Sequence, residues 1–288
     1  MIIAIALIIL AAGSVLFHFM SPWWSTPIAS NWGYIDNTIT ITFWITGVAF
    51  VLVVGFMVYC LIKFRYVEGR RADYEPENKR LEVWLTAITA IGVAGMLAPG
   101  LFVWNQYVTV PEDAVVVEVM GNQWQWSYRL PGADGKLGTT AVEHIDDNAF
   151  GLNPDDPAGR DDILIEAADL HLLLDQPVKV QLRSIDVLHD FYVPQFRAKM
   201  DMVPGMVTYF WLTPNKAGTY DILCAELCGV GHHVMRGEVV VEAQEDYDAW
   251  VAEQETYEQY MARNAAPRTL EVAQGEPAAK ATADATPQ

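Results

Sequence analysis

The sequence predicts a membrane-anchored all-β protein, with three transmembrane helices in front of a small β-sandwich. Two observations carry this. The first is a division of character along 288 residues, a length that leaves room for about two domains. Residues 1–107 hold 6 Lys+Arg and 6 Asp+Glu, whereas residues 108–288 hold 12 and 30, so the formal net charge of −18 belongs wholly to the second part. The second is a change of period: long unbroken apolar runs give way after Val108 to short segments that alternate. An acidic outer part offers nothing to a nucleic acid backbone, so the partners expected are the lipid bilayer and other proteins.

Three runs, at about 2–20, 39–62 and 81–104, carry almost no charge, and each is close to the ~20 residues that cross a bilayer core as helix. The first lacks the basic start of a secretory signal and continues apolar past Ala11-Ala12-Gly13, so it is read as an uncleaved helix. Lys63, Arg65, Arg70, Arg71, Lys79 and Arg80 all lie between the second and third runs, while 21–38 has no Lys or Arg, which puts the 63–80 loop in the cytoplasm. Everything after Trp104 then faces the periplasm, as in a multi-pass protein of a bacterial inner membrane. Trp23, Trp24, Trp32, Trp44, Trp84 and Trp104 fit anchoring at the membrane interfaces.

The outer domain, 108–262, reads as strands at 115–119, 124–129, 178–183, 206–212, 218–223 and 237–242. Gly121-Asn122 is the expected turn between the first two. Residues 131–162 look like an acidic insertion. A helix is expected at 245–261 with acidic residues in its first turn, and the Ala-, Pro- and Thr-rich end, 263–288, as a disordered tail.

The stretch C-A-E-L-C-G-V-G-H-H-V-M, Cys224 to Met235, concentrates soft donors in one loop. Of the three cysteines, Cys60 falls within the second apolar run and reads as a small buried hydrophobe. For Cys224 and Cys228 a disulfide is the bland reading in an oxidising compartment. Zinc held by both cysteines, His232 and a distant His is the next, but it gives Met235 no role. Thiolates, imidazole and thioether together favour copper. A blue-copper site uses one thiolate, and this loop has two, which suggests a second copper.

The pattern C-x-E-x-C-x3-H-x2-M, preceded by V-L-H, F-Y-V-P-Q-F and G-N-Q-W-Q-W-S-Y, resembles subunit II of cytochrome c oxidase over residues 35–260. The resemblance implies a cupredoxin-like sandwich and a binuclear copper centre, CuA. Cys224 and Cys228 would bridge two copper ions, with His189 and Met235 on one and His232 and the Glu226 carbonyl on the other. The Glu226 side chain would bind magnesium at the contact with subunit I. Trp124 matches the exposed tryptophan that takes electrons from cytochrome c, and Trp126 its structural partner. Gln123 and Asp186 fall in the docking region, and Asn122 stands where the motif commonly has His. L-E-V-W-L-T resembles the segment whose Glu, here Glu82, marks the mouth of a proton path, although its Trp is displaced by one position and the following Pro is missing. A carboxylate there also suits a helix start. His18, His144, His171 and His233 match no ligand.

The function implied is electron acceptance from cytochrome c, or a membrane-tethered cytochrome, and relay to haem in subunit I for proton-coupled oxygen reduction. Subunits I and III are the implied partners, and the acidic surface would steer a basic donor. Two other readings stand beside it: the CuA subunit of a nitric or nitrous oxide reductase, and a membrane-anchored copper-binding or delivery protein.

Overall fold

The computed structural model describes residues 1–21, 26–71, 74, 76–146, 148–166 and 168–265; Trp23, Trp24 and the tail from 266 onward lie outside the described residues. The three apolar runs form α1 (Ile2–Met20), α2 (Gly33–Lys63) and α3 (Lys79–Val108), each long and apolar enough to cross a membrane. The second and third extend beyond their apolar runs. At 31 residues, α2 rises about 46 Å against a hydrocarbon core of about 30 Å. Helix α1 lies along α2, with Phe19 and Trp44 rings 6.1 Å apart.

The excess length is used to seat the outer domain. Trp32, at the N-cap of α2, donates Nε1 to the Trp211 carbonyl at 2.8 Å. Tyr107, near the end of α3, stacks on Phe210 with ring centroids 6.0 Å apart and donates Oη to the Lys199 carbonyl at 3.1 Å. Arg197 pairs with Asp36 in the first turn of α2. Trp32 is therefore not a lipid-facing anchor; it is buried in the core of the sandwich, whereas Trp44, Trp84 and Trp104 are exposed.

Among the described residues ten strands follow: β1 (Val115–Asn122), β2 (Gln125–Leu130), β3 (Ile163–Glu166), β4 (Leu170–Leu173), β5 (Val178–Ser184), β6 (His189–Val193), β7 (Ala198–Met202), β8 (Thr208–Leu212), β9 (Gly218–Cys224) and β10 (Arg236–Glu242). They make two five-stranded sheets, ordered β3-β2-β1-β5-β8 and β4-β10-β9-β6-β7. Along β5 every second residue is buried, and these side chains meet Phe191, Ile222, Val239 and Val241 of the other sheet in one core, as two packed sheets require. Strands β3, β4, β6 and β7 have only four or five residues each, too few for alternation to stand out in the sequence.

Two local expectations are corrected. Strand β1 continues through Gly121 to Asn122, which pairs with Gln125, so the hairpin turn is Gln123-Trp124. Trp124 consequently lies in a turn rather than at the start of a strand. The C-terminal helix is two helices, α4 (Gln244–Ala252) and α5 (Tyr257–Ala265). The break between them hydrogen-bonds the edge of β3, Leu164 N–H to the Glu255 carbonyl at 3.1 Å and Tyr257 N–H to the Asp162 carbonyl at 2.7 Å. Residues 263–265 belong to α5 and not to the tail.

The acidic insertion covers the outer face of the first sheet. Phe150 and Leu152 pack with Met120, Leu164 and Tyr257 in a second small core. Beneath it lies a buried ion network: Arg129 Nε meets Glu118 Oε2 at 2.6 Å, Arg129 Nη1 meets Asp162 Oδ2 at 2.7 Å, and Arg183 Nη1 meets Glu118 Oε1 at 3.1 Å. Burial pushes the Asp162 carboxyl up to about 6, against the pull of the Gly138 N–H and Arg129.

Candidate metal centre

Strands β6, β9 and β10 are neighbours, and the donor loop joins the end of β9 to the start of β10. His189 opens β6, Cys224 closes β9, and Met235 immediately precedes β10. The loop closes on itself through Cys224 N–H to the Met235 carbonyl at 3.3 Å, His232 N–H to Gly229 at 3.1 Å and Val234 N–H to Gly231 at 3.0 Å. It is tied to β6 by the Ala225 N–H on the Asp190 carbonyl at 3.1 Å.

This closure gathers six donors. Cys224 Sγ is 3.7 Å from Cys228 Sγ, 3.9 Å from His189 Nδ1 and 3.2 Å from the Glu226 carbonyl; Cys228 Sγ is 3.6 Å from His232 Nδ1 and 3.8 Å from Met235 Sδ. A disulfide needs sulfurs about 2.05 Å apart, so both thiols are free. Two ligands on one ion at ordinary bond lengths lie about 3.3–3.8 Å from each other, which is the spacing found. Six donors exceed the four that one tetrahedral ion takes, and two thiolates shared between two ions would leave two further donors for each. Burial, then the adjoining Cys224, push the Cys228 thiol up to about 11, so two thiolates here call for a cation. The donor set therefore fits a copper pair. Among the described residues, His189, Cys224 and Cys228 are the one set of three or more His, Cys, Asp or Glu side chains close enough to share an ion.

His189 is fully buried, and its far nitrogen, Nε2, lies 2.8 Å from Asp186 Oδ1. A carboxylate behind a ligating imidazole fixes the ring and its tautomer. Asp186 also accepts from the Val187 N–H at 2.6 Å and the Gln123 N–H at 2.7 Å. Partial burial alone would raise its carboxyl; the hydrogen bonds from His189, Gln123 and Val187 outweigh it and hold Asp186 below the usual carboxylate range. Next to the ligand, Asp190 is buried against Asp201 and Lys199, and burial, then Asp201, push it up to about 7. On the other side of His189, a Cβ at Gly121 would stand 3.2 Å from the imidazole Cδ2.

The turn residues reach the same loop. Gln123 Nε2 donates to the Cys228 carbonyl at 2.7 Å and Trp124 Nε1 donates to it at 3.3 Å. Trp124 is half-buried, while Trp126 is buried with its ring 5.5 Å from Phe191. Glu82 is elsewhere, exposed in the first turn of α3, about 40 Å of helix from the sandwich. His233 is exposed, and His171 stacks on Trp250 at 4.2 Å with Nδ1 2.6 Å from Glu242. Sequence reasoning missed the inward role of Asp186, which the D-x-x-H spacing could have suggested, and the glycines at 121, 229 and 231, for which a sequence carries no contact signal.

A sequence profile described as cytochrome c oxidase subunit II, periplasmic domain, matches residues 115–244. The chain is 62% identical over 269 residues to the alternative cytochrome c oxidase subunit 2 of Bradyrhizobium diazoefficiens, covering 93% of this chain and 97% of that protein. It is 28% identical over 224 residues to the cytochrome c oxidase subunit 2 of Synechocystis sp., covering 70% and 67%. Among solved structures, the periplasmic domain of subunit II of cytochrome oxidase of Bradyrhizobium japonicum is similar at 26% identity and a TM-score of 0.37, over 50% of this chain and 95% of that one.

Proposed function

Because the chain belongs to the cytochrome c oxidase subunit II family, and so is a component of an oxidoreductase with a membrane anchor and a copper-binding outer domain, we propose that it accepts electrons from cytochrome c. It passes them to haem in subunit I, where oxygen is reduced to water and protons are pumped. The observation that carries this reading is the convergence of all six donors around two free thiols.

When bound, the copper pair supplies a site that gains and loses one electron at a time. The residues do the rest. Cys224 and Cys228 would hold both ions, His189 and Met235 one, and His232 and the Glu226 carbonyl the other. Burial keeps water off His189, Cys228 and Met235, while Cys224, Glu226 and His232 are half-buried. Asp186 holds His189 in the ligating tautomer. Trp124 is the surface residue through which electrons arrive, and the face around it, with Gln123 and Asp186, meets a basic donor by charge complementarity. The Glu226 carboxylate is assigned to a magnesium ion at the contact with subunit I, and a second contact, with subunit III, is proposed on the membrane side. The outer domain is assigned to the periplasm and the 63–80 loop to the cytoplasm of a bacterial inner membrane.

Metal analysis with electron spin resonance of the purified oxidase tests the reading. Two coppers attributable to this chain and a mixed-valence signal are expected; a single copper or a zinc ion would refute it. Glu82 is proposed as the entrance of a proton path, so Glu82→Ala is expected to leave copper reduction fast while slowing haem reduction in subunit I. Unchanged haem kinetics would reduce it to a helix-start residue.

A further inference from the structure

We propose that Gly231 is a positioning residue for electron acceptance: its lack of a side chain lets the Trp124 indole lie flat on the backbone that joins two copper-ligating residues, Cys228 and His232. The inference rests on the reading of Trp124 as the residue through which electrons arrive.

The geometry is specific. A Cβ built at Gly231 would lie 2.2 Å from Trp124 Cδ2 and 2.6 Å from both Cγ and Cε3, pressed into the face of the indole rather than its edge. Carbon atoms settle at about 3.5–4.0 Å, so an alanine here obliges the indole to move by more than about 1 Å. The backbone is not the obstacle, since Gly231 has φ −89° and ψ 7°, values open to any residue. At Gly229 the constraint is double: φ is +123°, and a Cβ would sit 2.9 Å from Gln123 Nε2 and 3.2 Å from Trp124 Cζ2. The indole is thus laid across the whole Gly229–Gly231 strip, with its N–H on the carbonyl of Cys228 at 3.3 Å.

The consequence is a short and fixed path. Electron uptake is a transfer of one electron from the reduced donor, which is oxidised, to the oxidised copper pair, with no bond made or broken and no proton moved. Its rate therefore depends on how closely Trp124 approaches the ligand loop. A wider gap weakens the electronic coupling between the indole and the ligand loop, so a displaced ring slows the transfer. Gly231 differs in this from the Cys and His beside it, because its substitution leaves every copper donor in place.

The test uses the assembled oxidase carrying Gly231→Ala, Trp124→Ala, or both. Gly231→Ala is expected to slow copper reduction at saturating reduced cytochrome c several-fold, with KM, copper content and the copper spectrum unchanged. In the Trp124→Ala background the ring is absent, and adding Gly231→Ala is expected to change nothing further. A wild-type rate in Gly231→Ala, loss of copper from it, or full additivity in the double variant would overturn the proposal. A wild-type rate in Trp124→Ala alone would instead overturn the reading of Trp124.

Discussion

The donor loop between β9 and β10 and the insertion between β2 and β3 are both irregular segments pinned to a regular sandwich, and they are pinned by opposite means. The loop is held by its own backbone hydrogen bonds, by bare glycine backbone under an indole, and by donors packed 3.2–3.9 Å apart. The insertion is held by contacts distant in sequence: Arg129 set between Glu118 and Asp162 with side chains almost fully buried, and Phe150 and Leu152 packed on Met120 and Leu164. The difference suits what each segment does. On the proposed function the loop must not shift with redox state, and short, stiff, local restraints serve that. A lobe that only has to stay on the sheet can rely on one ionic anchor and one small apolar core of long sequence range.

The comparison breaks most readily at Arg129. Arg129→Met leaves Asp162 with only the Gly138 N–H at 2.9 Å and Glu118 with only Arg183. Uncompensated buried carboxylates of this kind cost about 3–5 kcal/mol. A lowered thermal midpoint and faster proteolysis within 131–162 are expected, with the copper spectrum intact. If copper is lost together with the insertion, the two segments are one cooperative unit and the contrast fails.

The same contrast explains what was legible in the sequence. The helices showed because a bilayer demands uninterrupted apolar runs, and β5 because one buried face imposes strict alternation along seven residues. Four donors showed because Cys224, Cys228, His232 and Met235 lie within one loop, where spacing is itself geometry; the Glu226 carbonyl came only with the family pattern. His189 needed the family pattern, being 35 positions from Cys224. The ionic anchor was invisible: Arg129 meets Glu118 across a hairpin and Asp162 across the insertion, 33 positions away, and nothing local marks the three as partners. Trp32 was misplaced for a similar reason, since a tryptophan beside a membrane span reads as an interface anchor until the sandwich is seen to cover it.

A second test probes how far the loop's restraints extend. Asp186 lies outside the loop but braces His189 and the Gln123 N–H at once. Removing a partner of this kind commonly lowers metal affinity 10–100-fold, about 1.4–2.8 kcal/mol. Asp186→Asn is therefore expected to speed copper loss to a chelator by that factor, more than it alters donor KM. A change in the salt dependence of KM alone, with copper retention untouched, would make Asp186 a docking residue and confine the restraint to the loop.

The smallest effect is expected at Gln123, and it sharpens the comparison most. The residue is exposed, yet its Nε2 donates to the Cys228 carbonyl at 2.7 Å beside the longer bond from Trp124 at 3.3 Å. One carbonyl with two lone pairs is thus served twice, and Gln123→Ala leaves it served once. A single neutral hydrogen bond is worth about 1 kcal/mol, so copper release is expected to quicken by about fivefold while the spectrum stays the same. Gln123 lies on the docking face but is neutral and adds no charge to attract a basic donor, so donor KM should move less than copper release does. If KM rises several-fold while copper release is unchanged, the carbonyl needs only Trp124, and the turn belongs to the donor's surface more than to the loop it covers.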